Sequence, residues 1–304
     1  AIAFPNGTLT LTAILLSLGI KPNDEVIVPS YTMVATANAV KLIGAKPILS
    51  DISEDNLCLD YKGLINKISK KTKAIIYVTL NGRSGDIDKI KKICHKHNVY
   101  LIEDSAHSIG SNFKKKHHGN FGIAASFSFS TPKIITTGQG GMITTNNLAL
   151  YKKIKKIKNF GRISDGNDIY DSIGFNFKFT DLQAVLGISQ ISDLKKRIKK
   201  KREIFKYYWN FLSKNKYIKI FKYSKNETPW FIDIYIKNPK KLQNHLKLKK
   251  IQTRLVYPSL STLKIFNVKG NFKNSNYYCS RGLWLPSSLK LKKTEIRKIS
   301  KIII

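Results

Sequence analysis

The stretch Val99–His107 reads Val-Tyr-Leu-Ile-Glu-Asp-Ser-Ala-His. Its apolar first half predicts a strand, and two carboxylates follow where that strand ends. At the carboxyl end of a strand in a parallel sheet, a carboxylate points into the crevice where ligands bind. The alternative is that Glu103 or Asp104 only caps the next helix.

The same alternation of short apolar runs and amphipathic segments extends outward through the first half of the chain. Helices are predicted at Thr8–Leu18, which is followed by Gly19, and at Asp86–His97. The predicted strands are Glu25–Val28, Pro47–Ser50, Ala74–Val78, Val99–Glu103 and Ala125–Phe129. This order indicates an α/β fold with a doubly wound, mostly parallel sheet.

The second half of the sequence predicts a smaller unit. One long helix is expected from about Thr180 to Leu212, with the lysine-rich stretch Lys195–Arg202 largely on its solvated face. Its apolar face is formed by Leu182, Val185, Leu186, Ile191, Leu194, Ile198 and Phe205. A strand-like run (Phe231–Ile236), a helix near Pro239–Leu248, a loop at Val256–Leu260 and a last helix from about Thr294 follow. We therefore predict a large domain at residues 1–205 and a small α+β domain at residues 206–304.

Composition excludes several classes of protein. The chain has 304 residues, of which 42% are hydrophobic, which is too apolar for a disordered chain. No uncharged apolar run is long enough to span a membrane. The three cysteines are far apart and lie in no Cys/His cluster with metal-ligand spacing. The sequence thus predicts neither a metal centre nor a disulfide scaffold, and a reducing cytoplasm fits best.

The formal charge of +35 raises the question of a nucleic-acid partner. However, only 7 of the 54 cationic residues are arginine, the side chain preferred for bidentate phosphate and base contacts. The abundance of lysine, isoleucine and asparagine is typical of a protein encoded by AT-rich DNA. The composition therefore argues against nucleic-acid binding, although the positive electrostatic field of the protein would attract anionic ligands.

Several short motifs carry groups that could bind a phosphorylated ligand. Asn6-Gly7-Thr8 opens a helix, where a glycine permits close approach and free N–H groups face an anion, although Asn6 or Thr8 could serve only as a cap. Ser128 lies near the end of a predicted strand, Lys133 follows that strand, and a glycine-rich segment, Gly138–Gly141, comes next. A lysine in a ligand crevice is either a surface charge or a reactive amine with a lowered pKa.

Two further segments are less specific. Tyr31 and Met33 follow the strand Glu25–Val28 and could cover a flat ring, but core packing would explain them equally well. Asn176 lies between two phenylalanines before the long helix, where it could also be a turn residue.

In this order and spacing the motifs resemble the DegT/DnrJ/EryC1/StrS family of pyridoxal 5′-phosphate (PLP)-dependent sugar aminotransferases. The resemblance extends from Asn6-Gly7-Thr8 to Gly282–Ser287 and the last helix. It implies the type I PLP-transferase fold, a homodimer with shared active sites, and amino transfer from glutamate to a nucleotide-linked keto sugar. The chain is most similar to enzymes that make 4-amino-4,6-dideoxy sugars such as GDP-perosamine, whose products usually feed lipopolysaccharide or other surface polysaccharide synthesis.

The resemblance also implies roles for single residues. Lys133 would form a Schiff base with the cofactor aldehyde and shuttle a proton. Asp104 would keep the pyridine nitrogen protonated, and His107 would contact the ring hydroxyl. Ser128 would bind the phosphate together with the backbone of Gly7 and Thr8.

The remaining roles concern the ring face, the partner and the substrate. Met33 occupies a position that usually holds an aromatic side chain against the cofactor ring. Asn176 would reach the cofactor phosphate of the neighbouring subunit. Tyr31, Arg254 and Tyr257 are predicted to contact the substrate.

Departures from the family pattern leave alternatives open. Relatives usually begin some tens of residues earlier with a dimer-closing arm, so we expect this chain to begin partway into a longer protein. Gln139, Lys178 and Ser261 replace a commoner Glu, Arg and His. A PLP-dependent sugar dehydratase is the first alternative, although such relatives have histidine in place of Lys133. A degenerate or polyanion-binding member of the family is the second.

Overall fold

The computed structural model describes residues 1–164, 166–266 and 268–304. A large mixed sheet and a small sheet organise the chain. The strands are β1 (Ile2–Phe4), β2 (Glu25–Pro29), β3 (Lys46–Ser50), β4 (Thr72–Val78), β5 (Tyr100–Asp104), β6 (Asn112–Phe113), β7 (Lys116–His117), β8 (Ala124–Ser128), β9 (Gly141–Thr144), β10 (Ile232–Tyr235), β11 (Arg254–Leu255) and β12 (Gly282–Leu285). The helices are α1 (Gly7–Ser17), α2 (Ala35–Leu42), α3 (Tyr61–Leu64), α4 (Ile87–Lys96), α5 (Leu148–Lys158), α6 (Asp181–Ile191), α7 (Leu194–Leu212), α8 (Pro239–Leu248), α9 (Lys273–Cys279) and α10 (Lys293–Ile303).

The large sheet has the strand order β1-β9-β8-β5-β4-β2-β3. Neighbours from β8 to β3 pair in parallel, whereas β9 pairs antiparallel with both β8 and β1. The small sheet has the order β10-β12-β11 and is antiparallel. Because the parallel strands place their carboxyl ends at one edge, β5 and β8 end side by side there.

The predicted α/β class, the mostly parallel sheet and all five predicted strands of the first half are confirmed, with ends that move by no more than two residues. The same holds for the two predicted helices, which are α1 and α4. The prediction missed β1 and β9, because strands of three and four residues are too short to show a periodic pattern.

The single long helix predicted from Thr180 to Leu212 is wrong, because the chain bends between α6 and α7 at Ser192 and Asp193. The Ser192 hydroxyl donates to the Ser189 carbonyl, and the Asp193 N–H bonds the Gln190 carbonyl three residues back. Serine and aspartate compete with the helical ladder in this way, and the tighter bonding redirects the axis. Periodicity alone did not reveal the break, because apolar residues continue on both sides of it.

Three clusters of buried apolar side chains hold the chain together. One lies between α1, α2 and the large sheet, and a second covers the other side of the sheet. A third joins the C-terminal half of α7 to the small sheet and α10 through Ile204, Tyr208, Leu283 and Ile296. The predicted domain boundary at residue 205 falls inside α7 and stays a prediction. No helix within the described residues is both long enough and apolar enough to cross a bilayer.

Candidate active site

A cleft with a volume of about 360 Å³ lies at the carboxyl ends of β5 and β8, beside the start of α1. Its size is typical of a small-molecule site. Most of the predicted site residues line it, namely Gly7, Thr8, Met33, Asp104, His107, Ser128, Lys133, Arg254 and Tyr257. Residues from distant parts of the sequence therefore meet where the topology predicts a ligand crevice.

Asp104 is the last residue of β5 and is buried. One carboxylate oxygen accepts the Thr36 hydroxyl at 2.8 Å, and the other accepts the Ala106 N–H at 3.2 Å. Burial raises the pKa of Asp104, while these bonds and the charge of Lys133 act in the opposite direction. Its carboxylate is thus held in a fixed orientation and would be stabilised by a cationic ligand atom.

Lys133 lies in the loop that follows β8 and is half-buried. Its amine lies 3.8 Å from the centroid of the Trp230 ring. Burial lowers the pKa of Lys133 to about 7, and attraction to Asp104 opposes this shift only in part. At neutral pH a substantial fraction of the amine is therefore unprotonated and able to act as a nucleophile or base.

His107 lies beside this lysine and stacks on Trp230, with ring centroids 4.0 Å apart. Its Nδ1 accepts the backbone N–H of Asn81 at 3.3 Å. Burial, together with the charge of Lys133, holds the pKa of His107 well below its usual range. His107 is therefore neutral, and its proton is on Nε2 because Nδ1 is an acceptor.

The start of α1 provides an anion-binding end to the cleft. The Asn6 side chain caps the helix by accepting the Leu9 N–H, which leaves other N–H groups of the first turn free for a ligand. A Cβ added at Gly7 would lie 3.0 Å from Ser128 Cβ, so only glycine lets the strand and the helix approach this closely. Backbone donors and the Ser128 hydroxyl thus lie together.

Three predicted residues form other walls of the cleft. Met33 is 42% exposed, which shows that it is not a core residue. Arg254 lies over the rings of Tyr257 and Trp284, at 5.9 and 5.6 Å from their centroids. Burial raises the pKa of Tyr257 to about 12, so its hydroxyl keeps its proton and can donate a hydrogen bond.

Tyr31 does not line the cleft, and its predicted contact with the substrate stays a prediction. Its ring is buried, and its hydroxyl meets the Tyr235 hydroxyl at 3.2 Å. Tyr235 in turn donates to Asp233, which forms a buried bidentate pair with Arg83 at 2.6 and 2.8 Å. Tyr31 therefore belongs to a polar network that joins the segments after β2 and β4 to β10. The chain turns it inward, a direction that its position in the sequence does not reveal.

Asn176 also lies outside the cleft, exposed and in a β-bridge with Asn159. Its predicted reach into a neighbouring subunit stays a prediction.

Sequence reasoning missed Trp230, which touches both Lys133 and His107. No spacing signal could have found it, because 97 residues separate it from Lys133 and its neighbours Pro229 and Phe231 read only as the start of a strand. Asn81, which bonds His107, was missed for the same reason.

The cleft fits PLP in each of its functional groups. Asp104 suits a protonated ring nitrogen, the Nε2–H of His107 a ring oxygen, and Lys133 an aldehyde. The first turn of α1 and Ser128 suit a phosphate. Within the described residues no group of three or more His, Cys, Asp or Glu side chains is placed to hold a metal ion.

Comparison with known proteins agrees with this chemistry. The profile of the DegT/DnrJ/EryC1/StrS aminotransferase family matches residues 1–304. A GDP-perosamine synthase from Escherichia coli O157:H7 is 36% identical over 269 residues, which are 87% of this chain and 73% of that protein. One from Vibrio cholerae is 33% identical over 304 residues, 97% of this chain and 83% of that protein.

Solved structures give the same result. A DegT DnrJ EryC1 StrS aminotransferase from Brucella abortus superposes with a TM-score of 0.93 at 26% identity, covering 99% of this chain and 84% of that one. Helicobacter pylori PseC, an aminotransferase of pseudoaminic acid biosynthesis, gives 0.92 at 25% identity, with 99% and 85% covered. The predicted type I fold, the PLP cofactor and the aminotransferase class are confirmed at the level of the family: this chain belongs to the DegT/DnrJ/EryC1/StrS aminotransferases.

Proposed function

We propose that this chain transfers an amino group from glutamate to a nucleotide-linked 4-keto-6-deoxy sugar of the perosamine type, in a pathway of surface polysaccharide synthesis. The GDP-perosamine synthases among its relatives support the substrate class. One observation carries the proposal: the cleft holds a lysine amine whose pKa is lowered to about 7 beside a fixed carboxylate.

PLP, when bound, supplies an aldehyde that carries the amino group and a ring that withdraws electrons. Lys133 then holds or releases a proton, and its pKa near neutrality suits both directions of transfer. Asp104 would hold a protonated ring nitrogen, and a charge-assisted bond of this type contributes about 1.5–3 kcal/mol. His107 would donate from Nε2 to a ring oxygen, and the start of α1 would orient the phosphate.

The dehydratase alternative is less well supported. The resemblance associates that chemistry with histidine at the position of Lys133, and here the lysine is present. A dehydratase is among the structural neighbours, but at 22% identity it shows only the shared fold. Mass spectrometry of the product decides between the two, because only transamination adds nitrogen from labelled glutamate.

The visible absorption spectrum tests the cofactor, the lysine and the first half-reaction together. We expect a band when PLP is added, its loss on addition of glutamate, and its return with GDP-4-keto-6-deoxymannose. Lys133→Ala should form no such band, whereas Lys199→Ala, which removes an exposed lysine of α7, should behave as wild type. A normal glutamate response in Lys133→Ala would contradict the proposal.

We further propose a homodimer with shared active sites. The apolar side chains of α6 support it, because Leu182, Val185 and Ile188 are each more than 60% exposed in the single chain. A contiguous apolar face of this kind is typical of a protein interface. Asn176, on the segment that precedes α6, is exposed and free to reach a second subunit.

Mixing two inactive variants tests the sharing of sites. A heterodimer of Lys133→Ala and Asn176→Ala contains one site with both residues intact, provided that Asn176 acts across the interface. Half of the dimers in an equimolar, fully exchanged mixture are such heterodimers, so about a quarter of wild-type activity should return. If the mixture is no more active than the average of its components, Asn176 does not act in the partner's site.

A cytoplasmic location is part of the same proposal. The three cysteines are unpaired, which is typical of a reducing compartment.

A further inference from the structure

Asn81 lies at a sharp bend just beyond β4. Its backbone is left-handed, with φ 56° and ψ 23°, and Gly82 follows with φ 90°. A Cβ added at Gly82 would lie 2.0 Å from the Thr228 carbonyl oxygen. The bend therefore presses directly against the segment Thr228–Phe231, which leads into β10.

The Asn81 side chain binds both the backbone N–H and the backbone carbonyl of a single residue of that segment, Phe231. Its Nδ2 donates to the Phe231 carbonyl at 3.0 Å, and its Oδ1 accepts the Phe231 N–H at 2.7 Å. Its backbone carbonyl accepts the Trp230 N–H at 3.3 Å and the Tyr223 hydroxyl at 3.1 Å. With a side chain only 3% exposed, Asn81 forms a rigid clamp on the backbone of Trp230 and Phe231.

The clamp fixes the place of the Trp230 ring. The indole Nε1 donates to the Pro132 carbonyl at 2.8 Å, one residue before Lys133. The ring then covers the Lys133 amine on one side and stacks on His107. Trp230 is 2% exposed, so it keeps water away from this side of the lysine.

The backbone N–H of Asn81 acts on His107 directly. A backbone N–H can only donate, so His107 Nδ1 must carry a lone pair and Nε2 the proton. Within the described part of the chain, Nε2 has no hydrogen-bond partner and is left for a ligand. One residue thus determines both which histidine nitrogen can donate and where the indole lies.

We propose that Asn81 is a positioning residue that sets the Nε2–H tautomer of His107 through its backbone and seats the Trp230 ring over Lys133 through its side chain. This inference rests on the proposed function for the identity of the ligand. Its first test, the histidine tautomer in cofactor-free protein, does not depend on that function.

The tautomer is measured by ¹⁵N NMR of histidine-labelled apoprotein, with the His107 signals assigned by their loss in His107→Gln. We expect an Nε2–H signature in the wild type and in Tyr223→Phe, a matched control that removes one bond to the Asn81 carbonyl without touching the clamp. Alanine keeps the backbone N–H, but it loses the side-chain clamp and disfavours the left-handed φ of 56° that aims this N–H at His107 Nδ1. In Asn81→Ala the bend should therefore relax, and both tautomers should be populated. An Nδ1–H signature in the wild type overturns the proposal.

The second test concerns the position of the Trp230 ring over the Lys133 amine. It measures how the rate of PLP uptake by the apoprotein depends on pH. The wild-type rate should have its midpoint at about 7, the pKa of the free Lys133 amine. In Asn81→Ala we expect the midpoint to rise by about one pH unit, because water reaches the amine, and uptake at pH 7 to slow about fivefold. Tyr223→Phe should keep the wild-type midpoint.

Asn81→Asp keeps the proposal testable if Asn81→Ala fails to fold. Aspartate tolerates the left-handed bend and still accepts the Phe231 N–H, but its carboxylate cannot donate to the Phe231 carbonyl. It should show the same two changes in smaller degree. If an Asn81 variant keeps both the wild-type His107 tautomer and the wild-type pH midpoint of PLP uptake, the proposal is overturned, whatever the variant's thermal stability. If the wild-type protein does not take up PLP, only the proposed function is overturned.

Discussion

Two lysines contact the same tryptophan, one at its ring and the other at its backbone carbonyl, and their environments differ. Lys133 lies over the Trp230 ring at the edge of the cleft. Lys201, from α7, donates to the Trp230 carbonyl at 2.8 Å, to the Ser287 carbonyl at 2.8 Å and to the Ser287 hydroxyl at 3.3 Å. Burial lowers the pKa of Lys133 to about 7 and that of Lys201 to about 8.

A lowered pKa therefore does not by itself distinguish a reactive lysine from a structural one. The Lys201 ammonium uses its donors on protein acceptors and is 6% exposed, so no substrate can reach it. Lys133 shares its environment with a carboxylate, a neutral histidine and an open cleft. What distinguishes the two is unused hydrogen-bonding capacity next to space for a ligand.

The largest expected difference between the two lysines is in catalysis. Lys133→Ala should lower transamination by about 10⁴-fold or more, because both the covalent anchor and the proton carrier are lost. Lys201→Met should stay within about tenfold of wild type, since that amine touches only protein atoms. Single-turnover rates with glutamate measure both. Equal losses in the two variants would remove the distinction.

Stability of the apoprotein should change in opposite directions. Lys133→Met should raise the free energy of unfolding by about 2 kcal/mol, because it removes an amine whose desolvation few hydrogen bonds offset. Lys201→Met should lower it by about 2 kcal/mol, because two buried carbonyl groups lose a charged donor. Urea unfolding at pH 7 without cofactor checks both values. A stabilising Lys201→Met would mean that its hydrogen bonds do not outweigh the buried charge.

The smallest expected effect is on the pH dependence of stability. Each folded-state pKa lies below the unfolded value of about 10.4, so the unfolded chain binds more protons and stability falls as the pH drops below about 10. The fall should end near pH 8 for Lys201 and near pH 7 for Lys133. Between pH 7 and 8, Lys133→Met should therefore flatten the slope by about 1 kcal/mol per pH unit. Lys201→Met should change the slope between pH 7 and 8 only slightly. Urea unfolding measured at half-unit pH steps distinguishes the two variants.

Features of the fold and the site could be predicted from the sequence where they depend only on local residue chemistry and on the order of the elements along the chain. Parallel strands bring their carboxyl ends together. The joint location of Asp104, Ser128 and Lys133 followed from this, because the first two end β5 and β8 and Lys133 lies in the loop after β8. Contacts made across long separations did not follow. Lys201 belongs to a run predicted to be solvated, yet its helix turns this one side chain inward.

Tyr31 shows a second direction that the sequence does not reveal. Met33, two residues after Tyr31, faces the cleft, whereas Tyr31 does not. Both residues lie in a segment without regular secondary structure, where the directions of successive side chains follow no simple period. The clamp at Asn81 likewise depends on a left-handed bend that meets Phe231, the residue before β10, 150 residues later. Such features arise from tertiary packing, which a single sequence read by pattern does not contain.

The position of Trp230 gives the molecule a built-in optical reporter. The chain has three tryptophans, and two of them, Trp230 and Trp284, lie 6.0 Å apart beside the cleft, while Trp209 is on α7. Replacing Trp209 with phenylalanine would leave tryptophan emission only from this pair, in which the Trp230 ring covers Lys133. Ligand entry and any displacement of the indole could then be followed in real time by intrinsic fluorescence, without any added dye.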